Sequence, residues 1–182
     1  MSNSISELFD KFAASSGLEK SIEPKGSSSY SIQKKLVKVA TNHFVRFGYR
    51  KANIAEIALA AGIGKGTIYL HFENKKELFL TCLIFEDRKL LPQLEIIESL
   101  PEEEKLRAFL EAIFNFTLTS PLNRALLSRS QDFTALIGEI DTKILKEKDK
   151  LFNEYVINKL ISPLSSTLNA KEKKTITSAI NL

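Results

Sequence analysis

The chain has few of the residues that disulfides, metal sites and membrane spans require. Its 182 residues include one cysteine, two histidines and no tryptophan. One cysteine cannot form an internal disulfide, and so few cysteines and histidines supply neither a zinc site nor a nucleophile–base pair. The longest nearly apolar run, residues 78–85, is far shorter than the roughly 20 residues that cross a bilayer. We therefore expect a protein that is not an enzyme, holds no metal or cofactor and does not enter a membrane.

The beginning of the chain lacks the basic start and apolar core of a secretory signal. Together with the single cysteine, this favours a cytoplasmic protein. Nine of the first 29 residues are serine, which predicts a polar leader over residues 1–29, with a short amphipathic helix near residues 5–13. Two roles for the leader stay open. It docks on its own protein, or Lys20 and Lys25 let it lie along DNA.

Residues 54–72, with the sequence IAEIALAAGIGKGTIYLHF, form the most informative segment. Asn53 supplies a side-chain cap for a first short helix, and Glu56 stands where a capping box needs a glutamate. Gly62 stands where that helix must end with a positive φ, which costs glycine little. A second short helix follows, with polar and basic side chains on its exposed face. This order predicts a helix-turn-helix over residues 53–72.

The flanking segments complete a small helical domain. Downstream, Asn74 and Glu77 form a second capping box that opens a further helix. Three helices and the start of a fourth therefore fit residues 31–91. Upstream, apolar residues recur at helical spacing and stop at Gly48: Ile32, Leu36, Val39, Ala40, Phe44 and Phe47.

Positive charge is concentrated in this same domain. The chain carries a net charge of +4, and residues 30–76 hold nine lysines and arginines against two glutamates, a local balance of +7. The rest of the chain holds 17 basic and 20 acidic residues, a balance of −3. Because a polyphosphate is attracted to such a surface, we expect DNA as its partner rather than a merely solvated basic face.

Between Ala40 and Leu78 the chain strongly resembles the TetR family of transcriptional repressors. It departs from the family where Ala52 replaces the usual threonine and where Gly64 replaces a common serine. Both usual residues can donate to phosphates. The resemblance covers about a third of the chain and is carried by these matches: Ala40, Phe44, Gly48, Tyr49, Ile57, Ala58, Ala61, Gly62, Ile63, Lys65, Gly66, Thr67, Ile68, Tyr69, His71, Phe72, Lys75, Lys76, Glu77 and Leu78.

The resemblance implies DNA contacts on and beside the second helix of the motif. Lys65 reaches a phosphate or a guanine edge, and Gly66 lets the backbone come close to the groove. Thr67 offers a hydroxyl group and a methyl group, the latter suited to thymine. The full set of implied contacts is Asn53, Gly64, Lys65, Gly66, Thr67, Tyr69, His71 and Lys75.

The remaining implied contacts are made to phosphates. Tyr69 and His71 grip phosphates beside the groove, and a packing role is the alternative for both. Lys75 holds one more phosphate, where its ammonium group lies near the unpaired N–H groups that begin the fourth helix. His43 lies near the apolar side of the first helix, and we expect it to be structural.

The pattern beyond residue 91 is also helical, and the sequence shows no convincing strand alternation. We therefore expect an all-α fold, with a DNA-binding domain over residues 30–76 and a helical effector-binding and dimerisation domain over residues 77–182. Ser99 and Pro101 predict the start of one helix, and Ser120 with the proline after it predicts the start of another.

Four phenylalanines could line a pocket for a small apolar effector, as the resemblance implies: Phe109, Phe114, Phe116 and Phe133. A helical core without a cavity needs the same residues, so both interpretations stay open. No charged residue framed by aromatic side chains identifies a ligand.

The last part of the chain bears on the dimer. A long helical pattern covers residues 132–162, and Asn169 with Glu172 opens a last helix. The resemblance implies two long final helices that pair with those of a second copy, whereas the last helix here fits only about three turns. Either a further segment follows in the protein, or the dimer contact uses the helix over residues 132–162.

These features predict a DNA-binding transcriptional regulator, by default a repressor. Because one recognition helix reads too few bases to specify a site, we expect it to bind a palindromic operator in double-stranded DNA as a homodimer. We also expect a small-molecule effector to release it from the operator. The alternative is a helical small-ligand carrier or interaction protein without DNA binding, for which Ala52 and Gly64 are the best support.

Overall fold

The chain was analysed as a computed structural model. It describes residues 28–128 and 130–139 and, outside them, Glu7, Lys146, Lys150, Tyr155, residues 169–172 and Thr175. The regular structure of the two long stretches is entirely helical, which confirms the all-α expectation. Among the described residues, no helix is both long enough and apolar enough to cross a bilayer.

Eight α-helices and one 3-10 turn follow one another through the two described stretches. Gly48 breaks the first helix as the sequence predicts, because its backbone turns to φ 80° and ψ 166° before one more helical turn. The elements are α1 (Ser28–Lys51), α2 (Ile54–Ala61), α3 (Lys65–His71), α4 (Lys75–Asp87), the 3-10 turn (Arg88–Leu90), α5 (Leu91–Glu98), α6 (Glu102–Thr119), α7 (Pro121–Ser128) and α8 (Ser130–Glu139).

Two predicted segments lie largely outside the described residues. Of residues 1–27 only Glu7 is described, so the rest of the predicted leader helix and the cations Lys20 and Lys25 lie outside. The long helix is described continuously only to the end of α8 and, beyond it, at Lys146, Lys150 and Tyr155. The start of the last helix is described and is confirmed. Asn169 accepts the backbone amide of Glu172 at 2.9 Å, and the Glu172 carboxylate accepts that of Asn169 at 2.8 Å.

One predicted helix start is wrong. Ser99 ends α5 instead of capping α6, because its hydroxyl group donates to a carbonyl of the preceding turn at 2.7 Å. Pro101 itself takes the N-cap position of α6, without a side-chain cap. Ser120 does open α7, since its hydroxyl oxygen lies 3.4 Å from the backbone amide of Asn123, which donates to it.

The larger core is built by α1 to α4, which we call the head (residues 28–87). Phe44 and Phe79 meet edge-on in its centre with 4.8 Å between ring centroids, and Phe79 lies 5.1 Å from Tyr49. Such edge-to-face pairs stabilise a core beyond the area they bury. The expected domain boundary at residue 76 falls in the first turn of α4, whose apolar side packs into this core.

A smaller core lies in the body, which we define as residues 88–139. It is formed mainly by α5 and α6 and also takes in the ring of Tyr155, 6.2 Å from that of Phe109. Burial raises the pKa of the Tyr155 hydroxyl group above its ordinary value. The fully buried members of this second core are Leu90, Leu94, Ile97, Phe109, Ala112 and Tyr155.

Apolar and polar contacts join the body to the head. Leu122 of α7 and Leu136 of α8 are buried in the head's core. The buried carboxylate of Glu86, in α4, accepts from the hydroxyl of Ser120 at 3.0 Å. The buried carboxylate of Asp132, in α8, accepts from the backbone amide at position 50 in α1 at 3.1 Å. Helices α7 and α8 therefore hold the head at two separate points.

Candidate nucleic-acid interface

The turn between α2 and α3 follows the sequence prediction. Gly62 ends α2 with φ 71° and ψ 33°, in the left-handed region. A Cβ atom at this position would meet no atom within 4 Å, so the positive φ, rather than lack of space, is what favours glycine. The amide of Ile63 donates to the carbonyl of Ala58 at 3.0 Å, which closes the end of α2.

The start of α2 is capped, but by one side chain rather than by a capping box. Asn53 accepts from the backbone amide of Ala55 at 2.8 Å. Glu56 does not complete the box, because its carboxylate lies 3.4 Å from Nε2 of His43. The imidazole of His43 is largely buried and lies tilted against the Phe47 ring, with 4.5 Å between centroids. The structural role predicted for His43 agrees with this position.

Helix α3 is anchored on one side and open on the other. Ile68, in the helix, and Phe72, which follows it, are each 1% exposed and fix the helix on the head's core. Lys65, Gly66 and Tyr69 lie on the exposed side. The ammonium group of Lys65 lies 5.9 Å from the centroid of the Tyr69 ring, so these two side chains lie together. The helix thus presents a polar surface on a rigid support.

The other predicted contacts on α3 are less exposed or have no side chain. Thr67 and His71 are half-buried, at the edge of the exposed surface. Gly64 takes the N-cap position of α3 in extended conformation and gives it no side-chain cap. At Gly66, a Cβ atom would meet nothing within 4 Å, so the backbone here is open to a close approach.

The ammonium group of Lys75 does not point where the sequence prediction placed it. It donates to the carbonyl oxygen of Arg50 at 3.2 Å and to that of Ala52 at 3.4 Å. It also lies 4.9 Å above the ring of Tyr49. Carbonyl groups at and just after the end of α1 hold this cation, so a phosphate contact through the ammonium group requires it to leave them.

The start of α4 has the predicted cap at Asn74 but not the return bond of the predicted capping box. Asn74 accepts from the backbone amide of Glu77 at 2.9 Å. The Glu77 carboxylate reaches back to the amide of Glu73, one residue before the cap, which closes the loop between α3 and α4.

Two features of the surface were not singled out from the sequence. Leu70 is 83% exposed on α3, and its place one turn after Gly66 was the signal that could have identified it. The end of α1 and the start of α8 enclose an open cleft of about 870 Å³, lined in part by Arg46, Arg50 and Lys51. These cations entered the charge count, but only the packing of α8 on α1 brings them to one cleft.

The structure does not bring the four predicted effector residues together. Phe109 is 2% exposed in the body's core, and Phe116 packs against that core. Phe114 lies on the other side of α6, 65% exposed, where an open apolar groove of about 530 Å³ runs past it. The side chain of Phe133 is outside the described residues. One cavity shared by Phe109 and Phe114 is not formed, because residues five apart lie on different faces of a helix.

Comparisons with known proteins agree with the helix-turn-helix. Residues 36–82 match the model of the family described as "Bacterial regulatory proteins, tetR family". An uncharacterized HTH-type transcriptional regulator, YhgD of Bacillus subtilis, is 26% identical over 136 residues, which cover 74% of this chain and 70% of YhgD. The HTH-type transcriptional regulator QacR of Staphylococcus aureus is 28% identical over 129 residues, which cover 69% of this chain and 65% of QacR.

A solved structure shows the same fold. The fatty acid degradation regulator FadR from Bacillus halodurans aligns with a TM-score of 0.52 and 23% sequence identity, over 87% of this chain and 82% of FadR. At that identity the likeness concerns the arrangement of helices alone.

Proposed function

We propose that this chain, whose helix-turn-helix domain belongs to the TetR family of bacterial regulatory proteins, is a cytoplasmic repressor. It binds a palindromic operator as a homodimer and leaves the operator when a small apolar effector binds. Membership of this family of DNA-binding regulators also accords with a protein that is not an enzyme. The observation that carries the proposal is the surface of α3, where Lys65, Gly66 and Tyr69 are exposed on a helix held by Ile68.

The proposed DNA contacts divide by chemistry. Base contacts specify sequence and phosphate contacts fix position. Lys65 and Gly66 are assigned to the groove, because Lys65 can donate to a guanine edge and Gly66 has no side chain to hold the backbone away. Thr67 adds a hydroxyl group and a methyl group at the edge of the same surface. Tyr69 is assigned to a flanking phosphate through its hydroxyl group.

The phosphate contacts proposed around the motif are weaker than the sequence suggests. Asn53 uses its carbonyl oxygen to cap α2, which leaves its NH₂ group as the phosphate donor. Gly64 offers its backbone alone, and His71 is half-buried. Lys75 contributes through its charge near the surface rather than through a preformed contact, since its ammonium group already caps α1.

A homodimer follows from the size of the recognition element. Helix α3 has seven residues, and a single helix of this length reads only a few base pairs. Two copies held about 34 Å apart read two half-sites one helical turn apart. An apolar stripe on α6 supports a contact between subunits, because Leu110, Phe114 and Leu118 are all about half exposed or more.

Effector release is proposed through the joints between body and head. A ligand in or beside the body's core would favour an arrangement in which the two α3 helices no longer match the groove spacing. Ser120 touches α4 through Glu86, and Asp132 touches the end of α1. A displacement of α7 or α8 therefore reaches the head directly. The ligand must favour the released form by a few kcal/mol.

A helical carrier or interaction protein without DNA binding is the second candidate. It is favoured by the inward ammonium group of Lys75 and by Gly64 and Ala52, which together supply fewer phosphate donors than the family pattern. The exposed pair of Lys65 and Tyr69 argues against it, because neither side chain is needed to hold α3 in place.

The deciding experiment is selection of bound sequences from random DNA, followed by binding measurements on the selected duplex. We expect a palindromic site, a dimer mass by sedimentation and a slope of log affinity against log salt of roughly −5 to −7 if each subunit neutralises about three or four phosphates. Lys65→Ala and Tyr69→Ala should abolish binding and keep the helical circular dichroism. Arg124→Ala, which removes an exposed charge from α7, is the matched control. A monomer that ignores DNA at low salt contradicts the proposal.

A further inference from the structure

The exposed side of α3 carries two different rows of residues. Lys65 and Tyr69 form a polar row, one turn apart. Gly66 and Leu70 form a second row, also one turn apart, because residues at i and i+4 lie above one another on a helix. Leu70 is 83% exposed, the highest value among the large hydrophobic residues described. The second row therefore has no polar side-chain atom at all.

Exposure of a single leucine is ordinary on a protein surface. Leu70 is distinguished by its position, because long helical side chains lean toward the turn before their own Cα atom. For Leu70 that turn is at Gly66, where a Cβ atom would meet nothing within 4 Å. No side-chain atom comes within 4 Å of that Cβ position, so the Gly66 backbone stays open and the exposed Leu70 side chain stands beside it on the same side of α3.

We propose that Leu70 is a specificity-determining residue that packs on the C5-methyl group of a thymine in each half-site, an inference that rests on the proposed DNA binding. The thymine methyl is the apolar group that a base pair presents in the major groove. Leucine cannot donate or accept a hydrogen bond, so it leaves the polar edge of a G·C pair unsatisfied and disfavours it.

The two rows together define a recognition pattern. Lys65 favours a guanine or a phosphate, and Leu70 favours a thymine. The two residues are five positions apart, or about 7.5 Å along the helix. That length corresponds to about two base pairs of B-DNA. We expect the selected half-site to hold a thymine about two or three base pairs from the position that Lys65 reads.

The test removes the methyl group alone. In the duplex selected from random DNA, each thymine is replaced by uracil in turn, symmetrically in the two half-sites. Affinities are measured for the natural chain, for Leu70→Ala and for Leu59→Ala. Leu59 is the matched control, since it is 81% exposed on α2, outside the recognition helix. Circular dichroism melting checks that each variant folds, as expected for changes at exposed positions.

At one symmetric thymine position, uracil should weaken binding by the natural chain about fourfold per half-site, and thus about fifteenfold for the palindrome. Leu59→Ala should show the same loss at that position, and Leu70→Ala should show none. Leu70→Asn should select adenine there instead. An equal uracil penalty in the natural chain and in Leu70→Ala at every position would overturn the assignment while leaving DNA binding intact. Absence of any DNA binding by the natural chain would overturn both proposals.

Discussion

The head and the body differ in how far they bury their phenylalanine rings. In the head, Phe44, Phe72 and Phe79 are each 1% exposed and meet in one core. In the body, α6 buries Phe109 but leaves Phe114 65% exposed. The head therefore has a closed aromatic core, which Leu122 and Leu136 of the body also enter. Among the described residues, the body keeps an apolar stripe on α6 that is about half exposed or more at Leu110, Phe114 and Leu118.

This difference is what two parts with different mechanical requirements would show. A recognition helix needs a rigid support, because sequence is read by side chains held at fixed positions. A part that must respond to an effector needs surfaces and joints that can rearrange. Head and body meet through buried leucines and through the carboxylates of Glu86 and Asp132, so a change in one can be felt in the other.

The largest expected effect comes from the head's core. Phe79→Ala removes a buried ring that contacts Phe44 and Tyr49, and we expect it to lower the free energy of unfolding by about 3–5 kcal/mol. Phe114→Ala removes a ring that is mostly exposed, and should cost less than about 0.5 kcal/mol in the monomer. Urea unfolding of the two variants measures both. Similar losses would show that the body's outer surface is as closely packed as the head's core.

The joint between α8 and α1 should give the next largest effect. Asp132→Ala leaves the backbone amide of Arg50 without its buried acceptor, at a cost of about 1–3 kcal/mol. Gln131→Ala removes an exposed partner of the same residue's guanidinium group, at 3.3 Å, and should cost less than about 0.5 kcal/mol. Asp132→Ala should also change the affinity for the selected DNA, and Gln131→Ala should leave that affinity unchanged. If both variants unfold like the natural chain, the joint does not hold the head.

The exclusion of water from the head's core can be tested through the pH dependence of the free energy of unfolding. Burial raises the pKa of the Cys82 thiol from its ordinary value of 9.0 to about 12, and the thiol donates to the carbonyl of Val37 at 3.7 Å. The unfolded chain loses this proton near pH 9 and the folded chain near pH 12. The resulting stability is fully present below about pH 9 and is lost as the pH rises toward 12.

The measurement compares the natural chain with Cys82→Ala, which has no thiol to titrate. Their difference in free energy of unfolding should change by about 2 kcal/mol between pH 8 and pH 10.5, to the disadvantage of the natural chain. Every other titrating group contributes equally to both proteins. Parallel pH profiles would mean that water reaches Cys82, and that the head is less closed than its aromatic core suggests.

The helix caps, turns and breaks of the head could be predicted from the sequence, and its long-range contacts could not. The cap at Asn53, the positive φ of Gly62 and the break at Gly48 depend on neighbours within a few residues. The inward ammonium group of Lys75 depends on where α1 ends, 23 to 25 residues earlier. Glu56 is a second example, because its carboxylate lies 3.4 Å from Nε2 of His43 in α1 and not in its expected place in a capping box.

In the body the sequence pattern was also too broad to choose a face. Apolar residues cover a wide side of α6, and the spacing is satisfied whether Phe109 or Phe114 lies inward. The choice is made by α5 and by Tyr155, which cover Phe109 and leave Phe114 outside. Periodicity predicts that a helix has an apolar side, and the partners of the helix decide which part of that side is buried.

The smallest expected effect lies at the start of α3. Gly64 begins α3 without a side-chain cap, in an extended conformation with φ −69° and ψ 147° that any residue adopts. A Cβ atom there would lie at ordinary contact distance, 3.8 Å from the Thr67 hydroxyl. In Gly64→Ser the new hydroxyl can accept from an amide of the first turn, which should raise the free energy of unfolding by a few tenths of a kcal/mol.

The same change should also strengthen DNA binding, since a serine hydroxyl can donate to a phosphate. We expect affinity to rise about two- to fivefold with an unchanged salt slope, because no charge is added. Gly66→Ser is the matched control. It also has open space, but its side chain stands between the backbone and the groove, so affinity should fall although the fold is kept. Equal responses at the two glycines would mean that α3 does not approach DNA through the Gly66 and Leu70 row, and that the incomplete cap has no part in binding.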